Sequence, residues 1–183
     1  MIELRNVSAD GKDFEKIKQL YESAFPYKER LPIFDLLENK KETTFCAVYD
    51  NELFCGFFCL LSFHGITHIA YLAVAESYRN KGYGTKILQQ IRKMKSQSRI
   101  IADIEMENSR AYNSEQRTHR KNFYIRNGYQ ETDIFYTWQD VQYQILSYGG
   151  AVSKSEFLSF WQHFEVKKNC LTRLLSCFII QDN

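Results

Sequence analysis

The residues best placed to do chemistry are Arg79, Asn80, Lys81, Gly82, Tyr83, Gly84 and Thr85, inside the stretch AYLAVAESYRNKGYGTKILQQIRKM that spans residues 70–94. An apolar segment runs into them and a helix-like pattern runs out. A helix N-terminus exposes unpaired N–H groups at the positive end of its dipole, so it suits an anion. Gly82 and Gly84 let the backbone approach bulky oxygens, Arg79 and Lys81 add charge, and the Thr85 hydroxyl can donate a further bond. Two known phosphate loops do not fit. GxxxxGK followed by Ser or Thr has no match, and Ile87 stands where GxGxxG needs its third glycine. Taken alone, the turn fits an anion site and a glycine-rich connection with incidental basic residues equally well.

A second group lies in ADIEMENS, where Asp103, Glu105 and Glu107 alternate along a strand-like run and so point to one face. Such a face is either solvated or lines a polar cleft. Tyr124, in NFYIRNGY, reads by spacing as a core residue of a helix. The loop FPYKERLP holds Phe25, Tyr27, Glu29 and Arg30. His64 and His68 flank a turn, and Arg117, Arg120 and Lys121 crowd a polar helix face.

These groups need a scaffold. Ile2 to Val7 suits a strand, and Phe14, Ile17, Leu20, Tyr21, Ala24 and Phe25 fall at helical spacing until Pro26 ends it. Pro32 opens a short second helix. TTFCAVYD and ELFCGFFCLLSF read as two strands joined at Asp50-Asn51, and HIAYLAV as a central strand apolar on both faces. Ile87, Leu88, Ile91 and Met94 mark one helix face, RIIADIEME a strand, and residues 115–127 a helix with Gly128 as its C′ residue. DIFYTWQ and VQYQILSY close the sheet. Ser153 and Glu156 form a capping box before a helix with Phe157, Phe160, Trp161 and Phe164. This order predicts an α/β (α+β) fold, a mixed central β-sheet with helices on both faces. Residues 1–166 are expected to form a single domain, and 167–183 a tail without assigned structure.

Composition bounds the function. The 183 residues are 44% hydrophobic with 14 Phe and 12 Tyr, enough for a substantial core. Twenty-four basic against 22 acidic residues give a net charge of +2, which argues against a nucleic-acid partner. No signal peptide is visible, and CLTRLLSCFII is too short to span a bilayer, so no membrane role is expected. Cys46, Cys55, Cys59, Cys170 and Cys177 are odd in number and sit largely in apolar runs, as reduced buried thiols of a cytoplasmic protein would. No metal site is expected.

Arg79-x-x-Gly82-x-Gly84 after YLAVAESY resembles the signature of the GNAT superfamily of acyl-CoA-dependent N-acyltransferases. NFYIRNGY is similar to the family's Phe-Tyr-x-x-x-Gly-Phe, with Tyr129 in the last place. The two motifs and the element order cover about residues 1–140, and the closing strands and aromatic helix resemble a bacterial subset of uncharacterised members. The resemblance implies that the strand before the turn splays from its neighbour. It implies that Leu72, Ala73 and Val74 pair with the pantetheine arm of acetyl-CoA. Arg79, Asn80, Lys81, Gly82, Tyr83, Gly84 and Thr85 would then hold its pyrophosphate. It also makes the loop with Phe25, Tyr27, Glu29 and Arg30 an acceptor-binding segment.

Acyl transfer from a thioester to an amine needs a neutral amine, whose ammonium has a pKa of about 10.4, and a proton near a thiolate of pKa about 8.5. The tetrahedral oxyanion needs donors. By resemblance Tyr124 is the acid, Glu105 the base acting through water, and the Val74 N–H the oxyanion donor. The carboxylates lean toward a cationic amine, whether a small molecule or a peptide. No cysteine holds a nucleophilic position, so direct attack in a ternary complex is expected. The alternative is a non-catalytic acyl-CoA-binding or regulatory module. A homodimer through the aromatic helix or the tail is possible.

Overall fold

The computed structural model describes residues 2–38, 41–167 and 179–180. Its elements are β1 (Ile2–Asn6), α1 (Phe14–Ala24), a 3-10 turn (Tyr27–Glu29), α2 (Ile33–Glu38), β2 (Thr43–Asp50), β3 (Leu53–Phe63) and β4 (Ile66–Val74). A second 3-10 turn (Glu76–Tyr78) leads to α3 (Tyr83–Met94), β5 (Arg99–Glu105), α4 (Ser114–Arg126), β6 (Gln130–Trp138), β7 (Val141–Tyr148), α5 (Lys154–Lys167) and β8 (Ile179–Ile180). The expected order of strands and helices is found, and the α/β class with it; β8 and the 3-10 turns are additions. The described residues of 1–62 with 67–96 form one compact unit, and those of 63–66 with 97–183 another.

In the first unit the strands run in the order β1-β2-β3-β4. β1 pairs antiparallel with β2, from Ile2 opposite Asp50 to Asn6 opposite Cys46. The β2–β3 turn is Asn51-Glu52, with φ of 49° and 65°. Positive φ at both central positions is the type I′ geometry whose twist matches flanking strands. Asn51 takes it readily, and the Glu52 carboxylate pairs with Arg5 of β1, whose Nη2 lies 2.7 Å away. Ile17 and Tyr21 of α1 and Ile33 and Leu36 of α2 pack on alternate residues of the sheet, including Phe45, Ala47, Phe57, Cys59, Tyr71 and Ala73. On α3, Ile87, Leu88 and Ile91 are fully buried, whereas Met94, expected with them, is 44% exposed because it is the last residue of the helix.

The β2–β3 register slips between Val48 and Tyr49, whose partners are Gly56 and Phe54, leaving Cys55 as the extra residue of a bulge. At Gly56 a Cβ would lie 2.2 Å from the Ala73 carbonyl oxygen and 3.1 Å from the Val74 Cα. Only glycine lets β3 press this closely on the end of β4. Gly56→Ala is therefore expected to cost about 3 kcal/mol through overpacking against backbone. That lowers the melting temperature by about 6–12 °C. A melting curve within a degree of wild type would show that β4 is not fixed this way.

The second unit has the order β5-β7-β6-β8. β5 pairs antiparallel with β7, from Ile100 opposite Tyr148 to Glu105 opposite Tyr143. β6 and β7 meet at Gln139-Asp140, again with two positive φ values, 49° and 63°, so Gln139 is turn rather than strand. The expected capping box is present: Ser153 N–H donates to Glu156 Oε2 (2.9 Å) and Glu156 N–H to Ser153 Oγ (3.2 Å). Of the tail, Lys167 ends α5 and Ile179 and Ile180 pair with Thr137 and Tyr136; the rest lies outside the described residues, as do Cys170 and Cys177. Cys46, Cys55 and Cys59 are free and buried. No described helix is long and apolar enough to cross a membrane, and among the described residues no group of three or more His, Cys, Asp and Glu could hold a metal ion.

Candidate active site

β4 ends at Val74, and the chain turns through Glu76–Tyr78 into the residues the sequence singled out. Leu72 and Val74 are half-buried and Ala73 is buried, as for alternate residues of a strand covered on one face. Asn80 (φ 58°) and Gly82 (φ 80°) are both left-handed with a residue of negative φ between them. Such an alternation turns successive N–H groups toward one concavity. Gly82 is the N-cap of α3 and no side chain caps that end. The first helical bond is Lys86 N–H to the Gly82 carbonyl (3.1 Å), so the amides of the opening turn have no helical acceptor.

The two glycines have different reasons. Gly82 needs its positive φ, and nothing lies within 4 Å of where its Cβ would be. Gly84 is the second residue of α3 and is not among the positive-φ glycines, so conformation does not require glycine there. It leaves the opening turn without a Cβ at that position.

The side chains of the loop are largely used to build it. Arg79 Nε donates to the Val74 carbonyl (3.2 Å) and Lys81 Nζ to the Ser77 carbonyl (2.9 Å). The Tyr83 hydroxyl donates to Asp50 Oδ2 at the end of β2 (2.9 Å), a bond that pushes its pKa up to about 12. Tyr83 thus ties the start of α3 to the hairpin, and what it leaves to a ligand is its N–H. Thr85 is half-buried.

Phe25, Tyr27, Glu29 and Arg30 lie at the end of α1 and in the turn after it. Phe25 belongs to the core as well as the loop: its ring is 4.9 Å from Tyr71 and 5.7 Å from Tyr21. Tyr27 is 84% exposed, with the Arg30 guanidinium 5.4 Å from its ring.

In the second unit, Tyr124 is 7% exposed. Burial drives its hydroxyl pKa well above 10; Arg120 opposes that and Asp103 adds to it. Its hydroxyl forms no hydrogen bond to any described residue. The turn that ends α4 fixes the ring. Tyr129 N–H bonds to the Tyr124 carbonyl (3.1 Å) and Gly128 N–H to that of Ile125 (2.9 Å), with Gly128 at φ 82°. This is a Schellman motif, and its customary apolar contact is the Tyr124–Tyr129 ring pair at 5.1 Å.

Glu105, the expected base, is engaged on both oxygens. Arg117 Nη2 lies 2.9 Å from Oε1, Arg120 Nη1 2.8 Å from Oε2, and Asn113 Nδ2 3.2 and 3.3 Å from the two. Asn113 is the N-cap of α4, yet its side chain caps nothing because it is drawn to Glu105 and accepts from Arg117 Nε (2.8 Å). Arg117, Arg120 and Tyr124 recur at three- and four-residue steps, so they share one face of α4. Glu105 therefore grips the helix on the side that carries Tyr124. Asp103 accepts from the Tyr136 hydroxyl (2.9 Å), and Glu107 from Thr118 (2.9 Å) and pairs with Lys121 (3.6 Å). The three carboxylates are thus partnered within the protein, which removes the ground for expecting a cationic acceptor. Sequence reading did not single out Gly56, Asn113 or Tyr71, and gave Tyr21 only as a residue of a helix face. Only Gly56 left a signal, a lone glycine in an apolar strand, which marks a close backbone approach.

Residues 40–131, half of the chain, match the family model described as an acetyltransferase (GNAT) domain. The chain belongs to the GNAT acetyltransferase family. Among solved structures, a GNAT-family protein from Bacteroides thetaiotaomicron is similar at TM-score 0.71 and 17% identity, covering 90% of this chain and 96% of that one. A GNAT acetyltransferase from Elizabethkingia anophelis with acetyl-CoA bound is similar at TM-score 0.56 and 18% identity over 80% and 96%. The ribosomal-protein-S18-alanine N-acetyltransferase of Escherichia coli is similar at 0.59 and 13% over 84% and 97%. At these identities the likeness is one of fold. No curated protein matches the sequence significantly.

Proposed function

We propose that the protein is an N-acetyltransferase that moves an acetyl group from acetyl-CoA to a primary amine by direct attack in a ternary complex. The observation that carries this is Gly84, a helical glycine with no conformational need, beside uncapped amides and below Arg79 and Lys81 in sequence. The Elizabethkingia protein holds acetyl-CoA on the same fold, and the Escherichia coli enzyme acts on an alanine of a ribosomal protein.

The amides of Gly82 to Thr85 hold the pyrophosphate, with Arg79, Asn80 and Lys81 flanking it, and Leu72 to Val74 offer backbone groups to the pantetheine arm. Acetyl-CoA supplies the thioester. Val74 N–H donates to the developing oxyanion. Burial keeps the Tyr124 hydroxyl protonated at neutral pH, and Tyr124 is the acid that gives a proton to the leaving sulfur. Glu105 enters as a positioning residue for Tyr124 rather than as a free base. Solvent takes the proton of the amine, and Phe25, Tyr27, Glu29 and Arg30 contact the acceptor.

Acetyl-CoA at about 100 times its Kd should stabilise the protein by about 2.7 kcal/mol, and an amine panel should release free thiol. Stabilisation without release for any amine would favour the binding module; no stabilisation would end the proposal.

A further inference from the structure

Arg30 has an unusual setting. It is half-buried, its Nε is shut off from solvent, and its guanidinium neither donates to nor pairs with a carboxylate of any described residue. Unused donors on a partly buried cation are costly, and a charged acceptor would offset that cost. The backbone on either side is clamped. Tyr71, from β4, donates its hydroxyl to the Glu29 carbonyl (2.9 Å) and accepts from Leu31 N–H (2.9 Å), while the Tyr21 hydroxyl donates to the Leu31 carbonyl (2.9 Å). Tyr71 and Tyr21 are themselves buried and packed edge to face, 4.8 Å between ring centres. Three bonds thus hold a tripeptide whose middle side chain lies over the exposed Tyr27 ring but has no hydrogen-bonding or carboxylate partner among the described residues. The anchoring strand is the one whose next residues are Leu72 to Val74. A planar guanidinium on a fixed backbone matches the two oxygens of a carboxylate or phosphate.

We infer that the acceptor amine carries an oxyanion, a carboxylate or a phosphate, which Arg30 holds while Tyr71 and Tyr21 keep Arg30 in place. This rests on the acyltransferase reading above and narrows its substrate class to zwitterions instead of polycationic amines.

The test uses matched acceptors: amino acids, their carboxamides, and aminoalkyl phosphates, with free-thiol release as readout. Binding of N-acetyl amino acids and N-acetyl amino acid amides in the presence of coenzyme A, followed by thermal shift, covers acceptors that turn over slowly. Acetyl-CoA is titrated first; if it does not stabilise the wild-type protein, the acyltransferase reading fails before this one is reached. With that established, the oxyanion-bearing member of a pair should be favoured at least about tenfold, as expected for a charge-assisted bond. Carboxylate and phosphate arms show which anion is used. Arg30→Gln should erase the preference and leave the acetyl-CoA shift unchanged, and Arg30→Lys should restore part of it. Equal response to acids and amides, response to neither, or a preference that survives Arg30→Gln overturns the inference.

Discussion

Tyr124→Phe is expected to lower kcat about 100-fold or more, the usual contribution of a positioned acid, while the affinity for acetyl-CoA stays unchanged. The ring is held by the Tyr129 contact and by burial, neither of which involves the hydroxyl, so phenylalanine should keep the fold. Loss of the hydroxyl removes the proposed acid, so the effect should fall on the transition state alone. Burial holds the Tyr124 pKa above 10, and a group raised in this way stays protonated below that value. Titration of Tyr124 therefore adds no falling limb to the pH–rate profile below about pH 10, and any fall there belongs to another group. A Phe variant with wild-type kcat would remove Tyr124 from the chemistry.

Glu105→Ala is expected to destabilise the protein by about 3–5 kcal/mol, because it strands the Arg117 charge in a site where both side chains are about nine-tenths buried, 11% and 7% exposed. That corresponds to a fall in melting temperature of about 6–20 °C. Glu105→Gln preserves volume and one acceptor but removes the charge that Arg117 and Arg120 share. It should also lose stability, and kcat should fall with it as α4 and Tyr124 loosen. The shape of the pH–rate profile separates the two roles. A positioning residue lowers the curve without altering its limbs, whereas a base removes the acidic limb. Full stability with a lost limb in Glu105→Gln would return Glu105 to the role of base.

Much of this was legible in the sequence, for identifiable reasons. Helices and strands announced themselves through apolar periodicity, and the Gly128 and Ser153–Glu156 signals ended or began helices where the structure does. The loop at 79–85 stood out because glycine and charge are rare together at a strand-to-helix junction. Pairings were not legible. That Glu105 would be shared by two arginines and an asparagine depends on how α4 lies on β5, and spacing along each segment does not state it. The same holds for Tyr71 and the backbone of residues 29–31, forty residues away, and for Gly56 against Ala73. Phe25 was readable as the last residue at helical spacing and as part of the loop; its place among Tyr21, Phe57 and Tyr71 comes from the sheet.

The measurement that bears most directly on the account is calorimetric titration of acetyl-CoA into wild-type protein and Gly84→Ala, with melting curves of both. Alanine in a helix is favoured over glycine, so the free variant should be more stable by about 0.5–1 kcal/mol. Its added methyl fills the space proposed for the pyrophosphate, so affinity should drop at least about tenfold, or about 1.4 kcal/mol. Gain of stability with loss of binding is the expected pair. Wild-type affinity in Gly84→Ala, or no binding by either protein, would contradict it.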